Sequence, residues 1–142
     1  MKMNLMEAVV SLSDGGFFTH WMSREQRKAC AAVLLDGPMQ ARDMLARLNN
    51  ARQLIEGAPQ TYEADGRGDM AHVRLHYRRG SVHAWITERD VSSGLTQPQH
   101  QAYGMVKIHE ADWGYISIPE LLSAGMELDL DWDVKTIKEA IR

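Results

Sequence analysis

The sequence has little or nothing of several features that narrow a protein's class. One cysteine, Cys30, excludes an internal disulfide, and its setting in a helical pattern rich in alanine favours a small buried core residue. No apolar run approaches the ~20 residues that a membrane span requires. The N-terminal segment carries Glu7 within its short apolar stretch and has no small-residue cleavage site, so we expect no secretory signal and a cytoplasmic protein.

A basic surplus is also missing. The chain has sixteen basic and nineteen acidic residues and a net charge of −3, which argues against nucleic-acid binding by the whole surface and against imitation of DNA. Nucleic acid is therefore a less favoured partner than protein. Only a local patch of the surface could serve either purpose.

The signatures of common catalytic sites are absent from the sequence. It contains no HExxH or CxxC motif, no phosphate-binding GxxxxGK[ST] loop, no dinucleotide fingerprint and no recognisable Ser-His-Asp order. The stretch Gly66-Arg67-Gly68 signals only a loop. These absences favour a non-enzymatic protein that needs no cofactor.

The patterns that are present predict one α+β domain over residues 1–142, with a helical part at 1–60 and a sheet part at 70–142. Asn4 with Glu7, and Ser23 with Gln26, match the capping box that opens a helix. The clearest helix has apolar residues at three- and four-residue intervals, namely Met44, Leu45, Leu48, Ala51, Leu54 and Ile55, and Gly57 and Pro59 close it. Between the first two helices, Phe17, Phe18 and Trp21 predict a lid over the core, with a docking surface as the alternative.

Beyond residue 70 the hydrophobic period changes from 3.6 to 2. The strands are expected at 71–78, 81–89, 102–109, 114–117 and 126–132, with short helices near 119–124 and 134–141. We therefore expect N-terminal helices packed on one face of a small, mostly antiparallel sheet of about four to five strands, with a short C-terminal helix.

The stretch LHYRRGSVHAWITE, residues 75 to 88, predicts a hairpin. A two-residue turn at Arg79-Gly80 would place His76 directly opposite His83. The core face would then carry Val73, Leu75, Tyr77, Val82, Ala84 and Ile86. The face turned away from the core would carry His72, Arg74, His76, Arg78, His83, Trp85 and Thr87.

Three interpretations of that second face remain open. His76 and His83 could share a metal, with a third ligand from Glu88, His109, Glu110 or Asp129, as in a metal-dependent hydrolase or nuclease. The face could instead be solvent-exposed, with Arg74 stacked on Trp85. It could also be a recognition surface for a protein or a nucleic acid.

The stretch MELDLDWD, residues 126 to 133, alternates strictly between apolar and acidic residues. Along a strand, its acidic side chains would project to one side at about 6.8 Å intervals, and the apolar Leu128, Leu130 and Trp132 to the other. This row, Glu127, Asp129, Asp131 and Asp133, either protects a sheet edge or meets basic groups of a partner.

The segments HVRLHYRRGSVHAWITERD, QAYGMVKI and ADWGYISIPELLSAGMELDLDW resemble an uncharacterised domain family carried by plasmids, integrative elements and phages. The resemblance covers residues 71 to 132, and the positions that match its motifs are Glu88, Gly114, Tyr115 and Glu120. It implies an accessory protein of a mobile element and assigns no catalytic residue.

Together these observations predict a protein-binding factor that inhibits a host defence complex of the CRISPR or restriction type. The partner is expected to be a host protein or ribonucleoprotein complex. The residues expected to bind it are His72, Arg74, His76, Arg78, His83, Trp85, Glu127, Asp129 and Asp131.

Overall fold

A computed structural model describes residues 2–60, 68–90 and 101–142 of the chain. It confirms an α+β fold in which helices pack on an antiparallel sheet. The helices are α1 (Leu5–Leu12), α2 (Arg24–Leu34), α3 (Pro38–Glu56), α4 (Ile118–Ser123) and α5 (Ile137–Ala140). The strands are β1 (His72–Val73), β2 (Leu75–Arg79), β3 (Val82–Glu88), β4 (Ala102–Lys107), β5 (Ala111–Ile116), β6 (Glu127–Leu128) and β7 (Lys135–Thr136).

The N-terminal helices begin at the residues that the sequence indicates. The Asn4 side chain accepts a hydrogen bond from the Glu7 amide at 2.9 Å, and the Glu7 carboxylate accepts one from the Asn4 amide at 3.0 Å. Ser23 accepts from the Gln26 amide in the same way, at 3.2 Å, but the Gln26 side chain does not turn back to close the box. It binds the backbone of Leu128 instead, donating to the carbonyl at 2.7 Å and accepting from the amide at 2.9 Å.

Five strands form the main sheet in the order β5-β4-β3-β2-β6, with every pair antiparallel. Helices α1 to α3 cover one face, and the core there includes Leu75, Tyr77, Ala84 and Ile86 from the sheet. We call this the helix-covered face and the opposite side the second face. The prediction that His76 and His83 lie on the side away from the main core is confirmed.

The predicted register of the hairpin is wrong. Gly80 and Ser81 form the turn, so Arg79 pairs with Val82 and His76 pairs with Trp85 rather than with His83. Gly80 has a φ of +58°, and a two-residue hairpin turn requires a positive φ at its first central position. A turn at Arg79-Gly80 would have put arginine in that position. Glycine adopts a positive φ with less steric strain than arginine because it has no Cβ.

Several strands differ from their predicted bounds: the one expected at 71–78 is divided into β1 and β2, and the one expected at 102–109 ends at Lys107. Strand β5 begins at Ala111 instead of residue 114, and β6 covers two residues instead of residues 126 to 132. Burial alternates along the acidic stretch as expected, but Leu130 packs in the main core whereas Trp132 packs on the second face. The chain therefore leaves the sheet edge after Leu128, and its β7 residues pair with β1 in a small two-stranded sheet that the sequence did not predict.

The connector between α1 and α2 folds over the core, as predicted. Phe18, Trp21 and Met22 are fully buried, and the Tyr77 hydroxyl donates to the Trp21 carbonyl at 2.5 Å. Cys30 is also buried, and that burial raises the pKa of its thiol. The prediction that Cys30 is a small core residue is confirmed.

A smaller apolar cluster covers part of the second face. Its buried members, which we call the second cluster, are Val73, Trp85, Met105, Trp132 and Ile137. Val73 was expected on the helix-covered face. It belongs instead to β1, which pairs with β7 and does not continue the line of β2. Part of the face expected to be exposed is consequently a second core.

No helix in residues 2–60, 68–90 or 101–142 combines the length and apolar character that a membrane crossing demands.

Candidate functional site

Four polar side chains from adjacent strands form a row across the second face. Arg78 pairs with Glu127 on one side and with His83 on the other, and His83 pairs in turn with Lys107. Directly opposite residues in antiparallel strands have Cβ atoms about 4.5–5.5 Å apart. We call Glu127, Arg78, His83 and Lys107 the charged rim.

The charged rim is open to solvent. Glu127, Arg78 and Lys107 are exposed, and His83 is half-buried. Within the described parts of the chain, the ion pairs involve other residues, and Arg78, Lys107 and Glu127 have no oppositely charged atom within 4.0 Å. These charges are therefore available to a partner.

Behind the rim lies a chain of three hydrogen-bonded side chains. Nδ1 of His76 lies 2.9 Å from Oδ2 of Asp129, and Nε2 of His76 lies 2.9 Å from Nδ1 of His83. The two imidazole centroids are 5.1 Å apart and the rings are within 10° of parallel. That separation matches two rings joined edge to edge by a hydrogen bond in one plane. We call Asp129, His76 and His83 the histidine chain.

The partners of His76 fix its tautomer. Burial lowers the pKa of His76 and outweighs the opposing effect of its hydrogen bond to Asp129, so the ring is neutral near pH 7. The Asp129 carboxylate can only accept, so the proton of His76 is on Nδ1 and its Nε2 accepts from Nδ1–H of His83. Nε2 of His83 is the one ring nitrogen of the two histidines that this chain of hydrogen bonds leaves unused.

Tryptophans enclose the inner part of the histidine chain. The His76 ring centroid is 4.9 Å from that of Trp132 and 6.1 Å from that of Trp85. Trp132 is held in place because its indole N–H donates to the Val73 carbonyl at 2.8 Å, and the ammonium of Lys135 lies over its ring. Only 6% of His76 and 4% of Trp85 are exposed, so neither offers contact area to a partner.

The buried, neutral state of His76 predicts a loss of stability in mild acid. Because its pKa is lower in the folded than in the unfolded state, the unfolded chain binds more protons below about pH 6.5, and stability falls as the pH drops through that value. Substituting His76→Asn removes the titrating group and retains a donor for Asp129. We expect urea midpoints at about pH 7.5 and about pH 5.5 to differ less for this variant than for the wild type.

His72→Asn is the matched control for this comparison. His72 is exposed in β1, and its side chain forms no hydrogen bond or ion pair with a described residue. The control is expected to keep the pH dependence of the wild type. Equal losses of stability in the wild type and the His76→Asn variant would contradict a neutral buried His76.

The histidine chain does not have the geometry of a metal site. Asp129 and His83 each bind a different nitrogen of His76, so the three side chains lie in line instead of converging on a common point. In the described parts of the chain no three His, Cys, Asp or Glu side chains are grouped so as to hold an ion. Binding of a metal by Nε2 of His76 and Nδ1 of His83 would require the hydrogen bond between these two atoms to break, whereas the hydrogen bond from Nδ1 of His76 to Asp129 could persist.

The other residues expected to bind a partner are scattered. Asp131 forms two hydrogen bonds to the Arg47 guanidinium, at 2.8 and 3.0 Å, and His72 lies apart in β1. The interpretation of this face as solvent-exposed assumed that Arg74 stacks on Trp85, but it does not. Its guanidinium packs so close to the Gly57 backbone that a Cβ there would lie 2.6 Å from an arginine nitrogen.

Two open grooves border the charged rim at the β6 edge. The first has a volume of about 670 Å³, and the second has a volume of about 260 Å³. Both contain Glu25, Arg78 and Glu127. The first is completed by Ser23, Arg79, Gly80 and Gly125.

Sequence reasoning missed Lys107 and Gln26. Lys107 joins the charged rim only through the pairing of β4 with β3, which alternation within one strand does not reveal. Gln26 was recognised as a capping residue, but its side chain lines the second groove and binds Leu128, 102 residues away. The residue spacing contained no signal for that contact.

The fold and the site together define an α+β protein with a sheet covered by helices on one face and bearing a charged rim and a histidine chain on the other. No family model, curated protein or solved structure matches the chain. The resemblance to a domain family of mobile elements stays a prediction.

Proposed function

We propose that this chain is a non-enzymatic, cytoplasmic binding protein that recognises a partner protein through the charged rim and the grooves beside β6. The observation that carries the proposal is the exposure of Arg78 and Glu127, without ion pairs to described residues, where the two grooves meet. The resemblance to mobile-element proteins supports a host defence complex of the CRISPR or restriction type as the partner, which the chain would inhibit.

The mixture of charges in the first groove supports a protein partner. The groove contains two basic and two acidic side chains, Arg78, Arg79, Glu25 and Glu127. A polyanion such as duplex DNA would be repelled by the two carboxylates, whereas a protein surface can present matching charges of both signs. This arrangement favours specificity for one partner.

The groove is also formed before any partner binds. The Arg79 guanidinium donates to the Ala124 carbonyl, which fixes one wall. The Gln26 side chain occupies the outer amide and carbonyl of Leu128, so β6 cannot add another strand at that residue. Recognition at this edge therefore depends on side chains and not on strand addition.

Affinity capture with paired baits tests the proposal. The tagged wild type is expected to recover one host complex in fixed proportion from a lysate, and Arg78→Glu is expected to reduce recovery at least about tenfold, because charge reversal places a third carboxylate in the groove. Quantitative mass spectrometry of the eluates gives the measurement.

Lys138→Glu provides the matched control, since Lys138 is exposed on α5 and does not line either groove. It makes the same change in charge and is expected to recover the complex normally. Equal recovery with Arg78→Glu and Lys138→Glu, each with a wild-type melting temperature, would show that the partner binds elsewhere.

A further inference from the structure

A group of aromatic side chains lies on the second face, on the two strands farthest from β6. Tyr103 pairs with Tyr115, and Trp113 lies one row further along β5, opposite Met105. The Tyr103 ring centroid is 5.7 Å from that of Trp113 and 5.5 Å from that of Tyr115. We call Tyr103, Trp113 and Tyr115 the aromatic platform.

The platform extends beyond the part of the second face that is buried. Met105 and Trp85 belong to the second cluster, but Trp113 and Tyr103 are half-buried, and 54% of Tyr115 is exposed. Single exposed apolar residues are common on protein surfaces, but these three aromatic rings are neighbours and each is partly open to water. Partly exposed aromatic rings that lie side by side offer a surface on which a planar ligand can stack.

The strands beneath the platform carry two paired glycines on the opposite face of the sheet. On the helix-covered face the paired residues Gly104 and Gly114 have no side chains. A Cβ at Gly104 would lie 1.9 Å from the Trp85 carbonyl oxygen, so β4 must have glycine where it approaches β3 closely. The aromatic side chains of β4 and β5 project from the second face, whereas Val106 and Ile116 project toward the main core.

A cation stands at one end of the platform. Lys107 is exposed on the same face of β4, two residues beyond Met105, which places it about 7 Å along the strand from the row that holds Trp113. A planar group that stacks on Trp113 can thus carry a negative charge within reach of the Lys107 ammonium.

We infer that the aromatic platform and Lys107 bind single-stranded nucleic acid, with bases stacking on Trp113 and Tyr115 and a phosphate contacting Lys107. Stacking aromatics beside a cation are the common elements of single-strand binding because every base has a π-face. A duplex is disfavoured because its bases are already stacked inside the helix and cannot reach the aromatic rings. The surface shares Lys107 with the charged rim, but its aromatic side chains lie on β4 and β5, away from the β6 grooves, so the inference does not depend on the proposed protein partner.

Fluorescence anisotropy with a labelled oligothymidylate of about ten nucleotides tests the inference at low salt. We expect saturable binding that Trp113→Ala weakens about tenfold, which corresponds to the loss of one stacked base. Tyr115→Ser is expected to weaken binding severalfold, and it keeps the test valid if Trp113→Ala fails to fold. Lys107→Glu should weaken binding and reduce the slope of log affinity against log salt by about one.

Three further arms decide what is recognised. The Lys138→Glu control is expected to bind as the wild type does, and a duplex of the same length should compete poorly. If adenosine monophosphate competed as effectively as the unlabelled oligonucleotide, the ligand would be a free nucleotide, which offers the same base and phosphate groups. Absence of saturable binding, or equal affinity in Trp113→Ala, Tyr115→Ser and the wild type, would overturn the inference.

Discussion

Replacing Trp132 with alanine is expected to lower the free energy of unfolding by about 3–5 kcal/mol. Trp132 is 8% exposed and is one of two tryptophans buried in the second cluster. Its removal leaves a cavity against Val73 and Trp85, and it also removes the indole N–H that donates to the Val73 carbonyl. Urea denaturation followed by circular dichroism gives the measurement.

Trp132→Phe separates packing from hydrogen bonding. It keeps most of the apolar contact and loses the N–H donor, so its cost should be clearly smaller than that of the alanine variant. A second result distinguishes this account from a general loss of stability: removal of the Trp132 ring exposes His76, and the pKa of His76 rises toward the ordinary histidine value because burial is what lowers it. A Trp132→Ala variant as stable as the wild type would show that the second cluster is not a core.

Replacing Trp21 with alanine also lowers the free energy of unfolding by about 3–5 kcal/mol. Trp21 lies in the connector between α1 and α2, and its side chain is fully buried in the core. Its backbone carbonyl still accepts the Tyr77 hydroxyl in the variant, so the loss reports on the Trp21 side chain and not on this hydrogen bond. The same denaturation measurement applies.

Phe17→Ala is the matched control within that connector. Phe17 is half-buried, with the Arg52 guanidinium 4.4 Å from its ring centroid, and its removal is expected to cost much less than that of Trp21. A loss as large for Phe17 as for Trp21 would contradict the arrangement in which Trp21, and not Phe17, anchors the connector to the core.

The N-terminal helices could be predicted because the information that forms them is local. Asn4 and Glu7 satisfy each other within one turn, and the apolar stripe from Met44 to Ile55 is visible as a period of 3.6. The hairpin was located for the same reason. The predicted register of the hairpin was wrong because the turn was placed one residue too early. The first central position of the turn takes a positive φ, and Gly80 occupies that position.

The second face could not be predicted because segments distant in sequence form it. Alternation within β2 and β3 places His76 and Trp85 on that face but does not reveal that Trp132, more than 40 residues later, covers them. The same applies to Asp129, which meets His76 across 53 residues. Residues that looked exposed in the sequence are therefore buried, and the exposed site is the neighbouring charged rim.

The most direct test of the proposed function is amide hydrogen exchange of the protein, alone and in the complex recovered by affinity capture. Recognition through the charged rim and its grooves predicts slower exchange on binding at residues 78–80 and 124–128, where the hairpin turn and the β6 edge border the first groove. Unchanged exchange in both segments, with slower exchange on another surface, would contradict recognition through the charged rim and its grooves.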